Sequence, residues 1–416
     1  MKALVPLLTL LLASPIALAD SCVDCHSKET PNVVKDWQLS KHHDADISCD
    51  TCHGDEHSSA ADVDKLLTIT AETCAACHSE RFEQFAKGKH ALAWAAVKAM
   101  PTTHAQPMAL NQGLKGCTGC HKLGLKGEAE IADLKAAGSK FGQASCDACH
   151  TRHTFSVKEA QQPQACQTCH MGFDHPQWEM WSSSKHGVRY LLKQNGTLPA
   201  DTPAPTCQTC HMVDGDHEVR TAWGFLAVRL PLSEDPQWKA DQITILQALG
   251  VLDMDGKPTP RLEVVKAADV ARLTKADFDR ERNKMLKVCG DCHSANFAQN
   301  ELDNADKLIR DLDHLLAEGI RIIAGLYQDG IIPKPANYAM PFPDLLTFQD
   351  APTAIEQTLF EMHLKHRMRG FQGAFHANPD YALWYGWSEM VRDLQEIKEK
   401  AAEMRAAKGH KVSQAP

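Results

Sequence analysis

The sequence predicts a mainly α-helical protein in which a loop-rich body precedes long C-terminal helices. Two features indicate this fold. A short Cys-x-x-Cys-His motif recurs eight times, and seven of the eight copies lie before residue 212, which leaves little room there for sheet or long helices. After the last motif, apolar residues recur at helical spacing, as at Leu308, Leu312, Leu315 and Ile320. Only 6% of the 416 residues are aromatic, so we expect a bound cofactor to supply much of the apolar volume.

The eight motifs use all 16 cysteines of the chain. Two residues separate the cysteines of each pair and a histidine follows directly, which is the attachment signature of c-type haem. In such a site the thiols bond to the haem vinyl groups and the histidine coordinates the iron. The predicted sites are Cys22, Cys25 and His26; Cys49, Cys52 and His53; Cys74, Cys77 and His78; Cys117, Cys120 and His121; Cys146, Cys149 and His150; Cys166, Cys169 and His170; Cys207, Cys210 and His211; and Cys289, Cys292 and His293. The sequence therefore predicts a multihaem cytochrome c with eight covalently attached haem c groups.

Other roles for paired cysteines explain the pattern less well. A Cys-x-x-Cys pair can be a redox dithiol or half of a zinc site, but neither role explains a histidine after every pair. A disulfide framework does not require tandem vicinal pairs.

The first residues resemble an export signal. Lys2 is followed by an apolar stretch over residues 3–17 and by small residues at 17 and 19, which predicts a signal peptide over residues 1–19 that is cleaved. A retained membrane anchor is the alternative because the run approaches spanning length, although Pro6 and Pro15 favour cleavage. We therefore expect an exported, soluble, periplasmic protein.

The rest of the chain divides by composition into a haem-binding domain over residues 20–300 and a C-terminal helical region over residues 301–416. Helices are predicted over residues 237–249, 274–288, 301–327, 352–369 and 387–407, with a turn at 253–258. The C-terminal helices suit oligomer contacts, and packing against the chain's own core is the alternative. The net charge of −9 offers no basic patch for nucleic acid, so no nucleic-acid partner is expected.

Histidines outside the motifs are candidates for the second axial position. The chain has 22 histidines, so 14 remain after the eight of the motifs. An iron with histidine on both faces is six-coordinate and inert to substrate. Fourteen suffice for every haem, so the count fits both a pure electron-transfer protein and an enzyme with one open iron. The predicted distal ligands are His42, His57, His90, His153, His186, His217 and His376, whereas His314 is expected in ordinary packing and His410 in solvent.

Four further segments, in order along the chain, resemble the octahaem hydroxylamine oxidoreductase family over nearly all of the expected mature chain. They are Cys166-x-x-Cys-His-Met-Gly-Phe-Asp-His-Pro-Gln, Ser184-Lys-His-Gly, Thr221-Ala-Trp-Gly-Phe after His217, and Phe278-Asp-Arg-Glu-Arg-Asn-Lys-Met-Leu-Lys-Val-Cys. The resemblance implies that the fourth haem is catalytic and that Asp174 and His175 lie on its distal side. It also implies that the other seven haems conduct electrons with two histidines each, and that the protein is a homotrimer with extended C-terminal helices.

The chemistry of these residues fits that implication. An open ferrous iron binds nitrite or hydroxylamine through nitrogen, while His175 can exchange protons near neutral pH and Asp174 can orient it. From the residues alone, an Asp-His pair before Pro176 is equally a turn that presents His175 as a haem ligand.

The direction of the reaction is the remaining question. Oxidising members of the resembled family carry a tyrosine crosslinked to the catalytic haem, and the corresponding region here contains Tyr381 and Tyr385 without a clear match to that position. We therefore favour reduction of nitrite and hydroxylamine to ammonium, with electrons from a redox partner such as a membrane quinol-linked multihaem cytochrome. Hydroxylamine or hydrazine oxidation, a non-catalytic electron-transfer role and a sulfur-oxyanion reductase remain alternatives. The expanded cysteine spacing of sulfite-reducing relatives is absent.

Overall fold

The computed structural model describes residues 16–98, 118–136, 145–222, 232–261, 274–336, 338–347 and 350–413. Within these ranges the regular structure is helical and contains no strand, which confirms the predicted mainly α class. A single antiparallel bridge between Leu252 and Pro258 closes the turn predicted at 253–258. Cys117 and residues 1–15 of the predicted signal peptide lie outside the described residues.

The motif-bearing part of the chain is built from short helices. The longest of those described, Ile16–Glu29, has 14 residues. Its α-helices are Ile16–Glu29, Pro31–Gln38, Lys41–Asp44, Cys49–His53, Ala71–Ala75, Ser79–Lys87, Ala93–Lys98, Thr118–His121, Glu128–Ala136, Val157–Ala160, Gln164–Gln167, Gln177–Ser182, Lys185–Gln194 and Cys207–His211. Short 3₁₀ turns cover Ala60–Lys65, His90–Leu92, Cys146–Ala148 and Val213–Gly215.

The remainder of the chain forms helices that range from 3 to 34 residues among those described. They are Pro236–Ala248, Lys275–Gly290, Ala295–Gln328, Ala354–Glu361, Met368–Phe375, Pro379–Tyr381 and Ser388–Ser413, with π-helical turns at Met362–Arg367 and Ala382–Trp387. None of the described helices is long and apolar enough to cross a membrane.

The helices predicted over 237–249 and 274–288 are confirmed to within about two residues, because their capping residues are readable in the sequence. Asp235 caps the first of them, and Gly250 ends it with a φ of +68°. Thr274 and Asp277 form the capping box of the second. The predicted helix over 352–369 instead begins at Ala354 and continues through a π-helical turn to Phe375.

A long amphipathic helix, Ala295–Gln328, organises the C-terminal core. It begins at Ala295 rather than at residue 301 because Ser294 caps its N-terminus. Its buried face includes Leu312, Leu316 and Ile320, as predicted from the helical spacing. This face packs in one hydrophobic cluster with residues of the helices Pro236–Ala248 and Ser388–Ser413.

Buried polar contacts fix the neighbours of this helix. The carboxylate of Asp313 accepts hydrogen bonds from Nε1 of Trp238 at 2.8 Å and from Nη2 and Nε of Arg367 at 2.6 and 3.0 Å. Gly370 and Gly386 bring two helices so close that a side chain on Gly386 would overlap the backbone of Gly370. The C-terminal region is therefore held by specific contacts within the chain.

The chain forms two compact units. One contains residues of Met1–Phe82 and Lys126–Gln161, and the other contains residues of Glu83–Leu125 and Gln162–Pro416. The second unit joins haem motifs with the C-terminal helices, while the predicted division at residue 300 remains a prediction.

Candidate functional site

In the seven motifs whose residues are all described, the two cysteines and the histidine lie on one side of a helical turn. Residues at positions i, i+3 and i+4 of a helix share a face, which is the spacing of the two cysteines and the histidine. In four motifs that extend beyond a regular helix, the histidine amide donates to the carbonyl of the first cysteine. These bonds are His78 to Cys74 at 2.9 Å, His150 to Cys146 at 3.0 Å, His170 to Cys166 at 2.9 Å and His293 to Cys289 at 2.9 Å. The local fold therefore presents two thiols and one imidazole to a common partner.

Six motif histidines face a second histidine across a nearly constant distance. The ring centres in the first unit are 6.2 Å apart for His26 and His57, 6.1 Å for His78 and His42, and 6.1 Å for His53 and His153. In the second unit they are 6.0 Å apart for His170 and His90, 6.1 Å for His293 and His186, and 6.4 Å for His211 and His376.

This spacing fits one iron between two imidazoles. An imidazole nitrogen binds a first-row metal at about 2.0–2.1 Å and its ring centre lies about 1.1 Å farther away, so two rings on opposite faces of one metal have centres about 6.2 Å apart. Burial lowers the pKa of His170 to about 3 and that of His211 to about 4, which keeps both rings in the neutral form that binds metal. The donor set therefore suits a haem iron held by two histidines.

Six of the seven histidines predicted as distal ligands take part in these pairs. The seventh, His217, makes a 2.8 Å contact between its Nδ1 and the carbonyl of Gly215, and its role as a ligand remains a prediction. His314 lies on the long helix, 3.0 Å from the carboxylate of Asp241, as expected for ordinary packing. The side chain of His410 lies outside the described residues.

Electrostatic interactions between cysteines link neighbouring motifs. In the first unit they connect Cys22 with Cys49, Cys52 with Cys77, and Cys74 with Cys146. In the second unit they connect Cys120 with Cys169, Cys166 with Cys207, and Cys210 with Cys289. The first, second, third and fifth motifs thus form one series, and the fourth, sixth, seventh and eighth form another. Cofactors attached to such a series would follow one another closely, as electron transfer requires.

The fourth motif has a different partner from the six pairs. Its His121 faces His175 at a ring-centre distance of 5.8 Å, and Nδ1 of His175 lies 3.0 Å from Oδ1 of Asp174. Because an ionised carboxylate only accepts hydrogen bonds, Nδ1 donates and Nε2 is left for another partner. The structure therefore brings the predicted Asp174 and His175 together opposite the fourth motif, and the His175 ring centre also lies 6.3 Å from that of His170 in the sixth motif.

The charges of this pair support each other. Burial opposes ionisation of Asp174, but the hydrogen bond and charge of His175 outweigh it and lower the carboxyl pKa. Burial likewise opposes the charged form of His175, but the hydrogen bond and charge of Asp174 outweigh it and raise the imidazole pKa. His175 is thereby held ready to carry a proton. The 5.8 Å distance accommodates His175 either as a proton donor or as an iron ligand.

A tight loop after the sixth motif positions Asp174 and His175. Gly172 adopts a φ of +95°, and its amide donates to Oε1 of Glu179 at 2.9 Å. The next side chain, Phe173, stacks on Phe360 with ring centres 6.1 Å apart, and Nζ of Lys365 lies 5.6 Å from the Phe173 ring centre. No local sequence pattern predicts these aromatic and cationic neighbours, because Phe360 and Lys365 come from a distant helix and a π-helical turn.

Comparisons with protein families match the whole motif pattern. The family described as "Seven times multi-haem cytochrome CxxCH" matches residues 45–229 and 261–337, which contain the second to eighth motifs. The family of cytochrome c554 and c-prime matches residues 12–54, which contain the motif at Cys22.

Two curated proteins are similar to this chain. A probable nitrite reductase-hydroxylamine oxidoreductase fusion protein of Kuenenia stuttgartiensis is 27% identical over 94% of this chain and 52% of its own length. The multiheme cytochrome MtrA of Shewanella baltica is 26% identical over 47% of this chain and 67% of its own length. The chain therefore spans about half the length of the first relative.

Two solved structures share the fold. The "reducing HAO-like protein complex" of Kuenenia stuttgartiensis superposes with a TM-score of 0.71 at 24% identity, covering 95% of this chain and 87% of that one. A "hypothetical multiheme protein" superposes with a TM-score of 0.66 at 20% identity, covering 96% of this chain and 98% of that one. The family match, with the repeated motif geometry, identifies the chain as a member of the multihaem cytochrome c family, whose CxxCH motifs bind haem c covalently, and the likenesses relate it to hydroxylamine oxidoreductase-like proteins.

Proposed function

We propose that this protein is a periplasmic octahaem cytochrome that reduces nitrite and hydroxylamine to ammonium at one open haem, which receives electrons from seven haems with two histidine ligands each. The observation that carries the proposal is the Asp174–His175 pair opposite His121, beside motifs whose histidines are paired with other histidines. The predicted signal peptide supports export.

The proposed haem ligands follow from the ring pairs. Six histidines provide the second ligands. They are His57 for the first motif, His153 for the second, His42 for the third, His90 for the sixth, His376 for the seventh and His186 for the eighth. Cys120 and His121, together with Cys117, hold the catalytic haem, whose open iron supplies the binding site for a nitrogen atom and the electrons for its reduction.

The chain's own residues supply the protons. His175 donates its Nε2 proton toward the substrate side, while Asp174 accepts from Nδ1 and fixes the ring orientation. The carboxylate also stabilises the protonated ring, so His175 can take up the next proton from solvent between steps. Phe173, the residue before this pair in the chain, is held by stacking on Phe360.

Two observations support the reductive direction. The structurally similar complex is itself described as reducing, whereas the first curated relative carries both nitrite reductase and hydroxylamine oxidoreductase in its name. In this chain the rings of Tyr381 and Tyr385 pack on each other with centres 4.8 Å apart, and Tyr385 remains 54% exposed. A redox partner such as a membrane quinol-linked multihaem cytochrome would supply the electrons.

The proposal includes a homotrimer. The π-helical turn and the start of the last helix expose a cluster of large apolar side chains, which we call the aromatic patch: Leu383, Trp384, Tyr385, Trp387 and Val391. Contiguous apolar surface of this kind marks an interaction site, and the resemblance to a trimeric family makes a second copy of the chain its occupant.

Mass spectrometry of the intact chain and of its haem peptides tests the cofactor side of the proposal. Eight haems per chain are expected, with no tyrosine bonded to the haem on the fourth motif. A crosslink from Tyr381 or Tyr385 to that haem would instead favour hydroxylamine or hydrazine oxidation. Fewer than eight haems in fully matured protein would show that one motif is unused.

A further inference from the structure

We infer that Asp62 lowers the reduction potential of the haem held between His26 and His57, and so makes it the lowest-potential of the six haems with a described histidine pair. The inference rests on the proposed haem placement between those two rings.

The carboxylate of Asp62 contacts the predicted distal ligand directly. Oδ1 of Asp62 lies 2.9 Å from Nδ1 of His57, whose ring centre is 6.2 Å from that of His26. Both side chains are largely buried, with 19% of His57 and 16% of Asp62 exposed, so solvent screens the contact weakly. With Nδ1 bound to Asp62, Nε2 is the nitrogen left for iron.

Local backbone structure holds Asp62 in its ionised form. Its carboxylate accepts hydrogen bonds from the amides of Ser58 and Ser59, at 3.1 and 2.8 Å, and from the Ser58 hydroxyl at 3.0 Å. Hydrogen bonds donated to a carboxylate favour its charged form, so these contacts keep Asp62 as an acceptor toward Nδ1 of His57. A nearby cation, Nζ of Lys65, is 3.7 Å away and half-exposed, so it cancels only part of the charge.

In the described part of the chain, no other of the six histidine pairs has a carboxylate hydrogen-bonded to the outer ring nitrogen. His376 contacts the neutral carbonyl of Gln372 through Nδ1 at 2.7 Å. On the other side of the first site, Nδ1 of His26 meets the neutral hydroxyl of Thr30 at 2.8 Å. Other described carboxylates near the proposed haem sites lack this hydrogen bond to one of the paired histidines: the charge of Asp36 reaches His153, and Asp174 contacts His175 opposite the fourth motif.

A carboxylate on the outer nitrogen of a coordinating histidine makes the inner nitrogen more basic. A more basic ligand stabilises ferric iron more than ferrous iron, so the reduction potential falls. A haem held by the first motif would then need a strongly reducing electron donor, and the second motif, whose Cys49 interacts with Cys22, would hold the neighbouring haem.

An optically monitored redox titration of the holoprotein tests this. Asp62→Asn keeps the shape and an acceptor oxygen but removes the charge, so the lowest-potential component, about one-eighth of the haem absorbance, should move to higher potential. The matched control is Asp64→Asn, which removes the same charge from an exposed position two residues away and should leave that component in place. An unchanged component in Asp62→Asn, or an equal shift in Asp64→Asn, would overturn the inference.

Ser58→Ala gives an independent test if Asp62→Asn does not mature. Loss of the Ser58 hydroxyl frees the carboxylate to accept more strongly from His57, so the same component should move slightly to lower potential; an upward shift would contradict the inference. His57→Ala tests the haem placement separately from the effect of Asp62 on the reduction potential. If His57 is a ligand, its loss should convert one low-spin haem to high-spin. If it does not, the placement itself fails.

Discussion

The ring of His376, far along the C-terminal region, lies 6.4 Å from the ring of His211 in the seventh motif, measured between their centres. Asn378, two residues later, donates through Nδ2 to the carbonyl of Met180 at 2.8 Å and to the hydroxyl of Ser183 at 2.9 Å. These contacts tie the C-terminal segment to the helix that follows Asp174 and His175. The C-terminal region therefore takes part in building the proposed haem sites in addition to any role in assembly.

Two adjacent histidines provide a sharp test of the proposed ligand pairs. His42 faces His78 at 6.1 Å, whereas His43 packs edge-on against Trp37 with ring centres 4.6 Å apart. His42→Ala should convert one low-spin haem to high-spin in the electron paramagnetic resonance spectrum, because the iron loses its second ligand. His43→Ala should retain the low-spin signals. The reverse pattern, or no change in His42→Ala, would contradict the pairing.

The proton-donor role of His175 predicts a loss of turnover without a change in haem ligation. His175→Ala and Asp174→Asn should each reduce nitrite and hydroxylamine turnover by about 10²-fold or more, the usual contribution of a positioned acid–base group. Haem content and low-spin signals should stay as in the wild type. His314→Ala breaks a comparable contact, with Asp241, outside the site and should leave turnover unchanged. A new high-spin haem in His175→Ala would make His175 a ligand instead.

A buried histidine in the first π-helical turn predicts how stability depends on pH. His363 is fully buried, and burial followed by the charge of Arg367 lowers its pKa to about 3. In the unfolded chain its pKa is about 6.5, so below that pH the unfolded state takes up a proton that the folded state does not. Stability is therefore lost as pH falls from about 6.5 toward about 3.

His363→Leu should remove this part of the acid sensitivity. Between about pH 6.5 and about pH 5 the variant should lose about 2 kcal/mol less unfolding free energy than the wild type. Denaturant unfolding followed by far-ultraviolet circular dichroism at each pH measures the difference. Equal losses in both proteins would mean that His363 is not held neutral in the folded state.

The aromatic patch predicts the assembly state. Trp384→Lys should weaken the proposed homotrimer, because it places a charge in apolar contact surface. Light scattering after size exclusion should then give a lower mass than for the wild type. Leu67→Lys, at a similarly exposed leucine outside the patch, should not change the mass. A wild-type monomer, or a trimer indifferent to Trp384→Lys, would remove the patch from the interface.

Local sequence signals were sufficient for much of the fold. Asp235, Thr274 and Gly250 mark helix ends through hydrogen bonds and backbone angles that depend on a few adjacent residues. The π-helical turns at Met362–Arg367 and Ala382–Trp387 were not predicted. Gly386 in the second turn packs directly against Gly370, a tertiary contact that the local sequence does not reveal.

At the candidate haem sites, local sequence likewise predicts only part of the structure. The motif spacing predicts the position of each motif histidine, since the two cysteines and the histidine of one motif fit on a single helical turn. The partner of each is set by tertiary structure, so the sequence could nominate His153 or His376 as a ligand but could not assign His153 to His53 or His376 to His211. Asp62 was missed because its effect depends on one hydrogen bond to His57.

Nitrogen balance during turnover tests the central claim most directly. With reduced viologen as the electron donor, the purified holoprotein should convert nitrite and hydroxylamine to ammonium as the main product, and hydroxylamine oxidation with an artificial acceptor should be slower. The same assay on His175→Ala should lose ammonium formation. Rapid oxidation of hydroxylamine with little ammonium from nitrite would contradict the reductive account, and no turnover of either compound by fully loaded protein would indicate an electron-transfer protein.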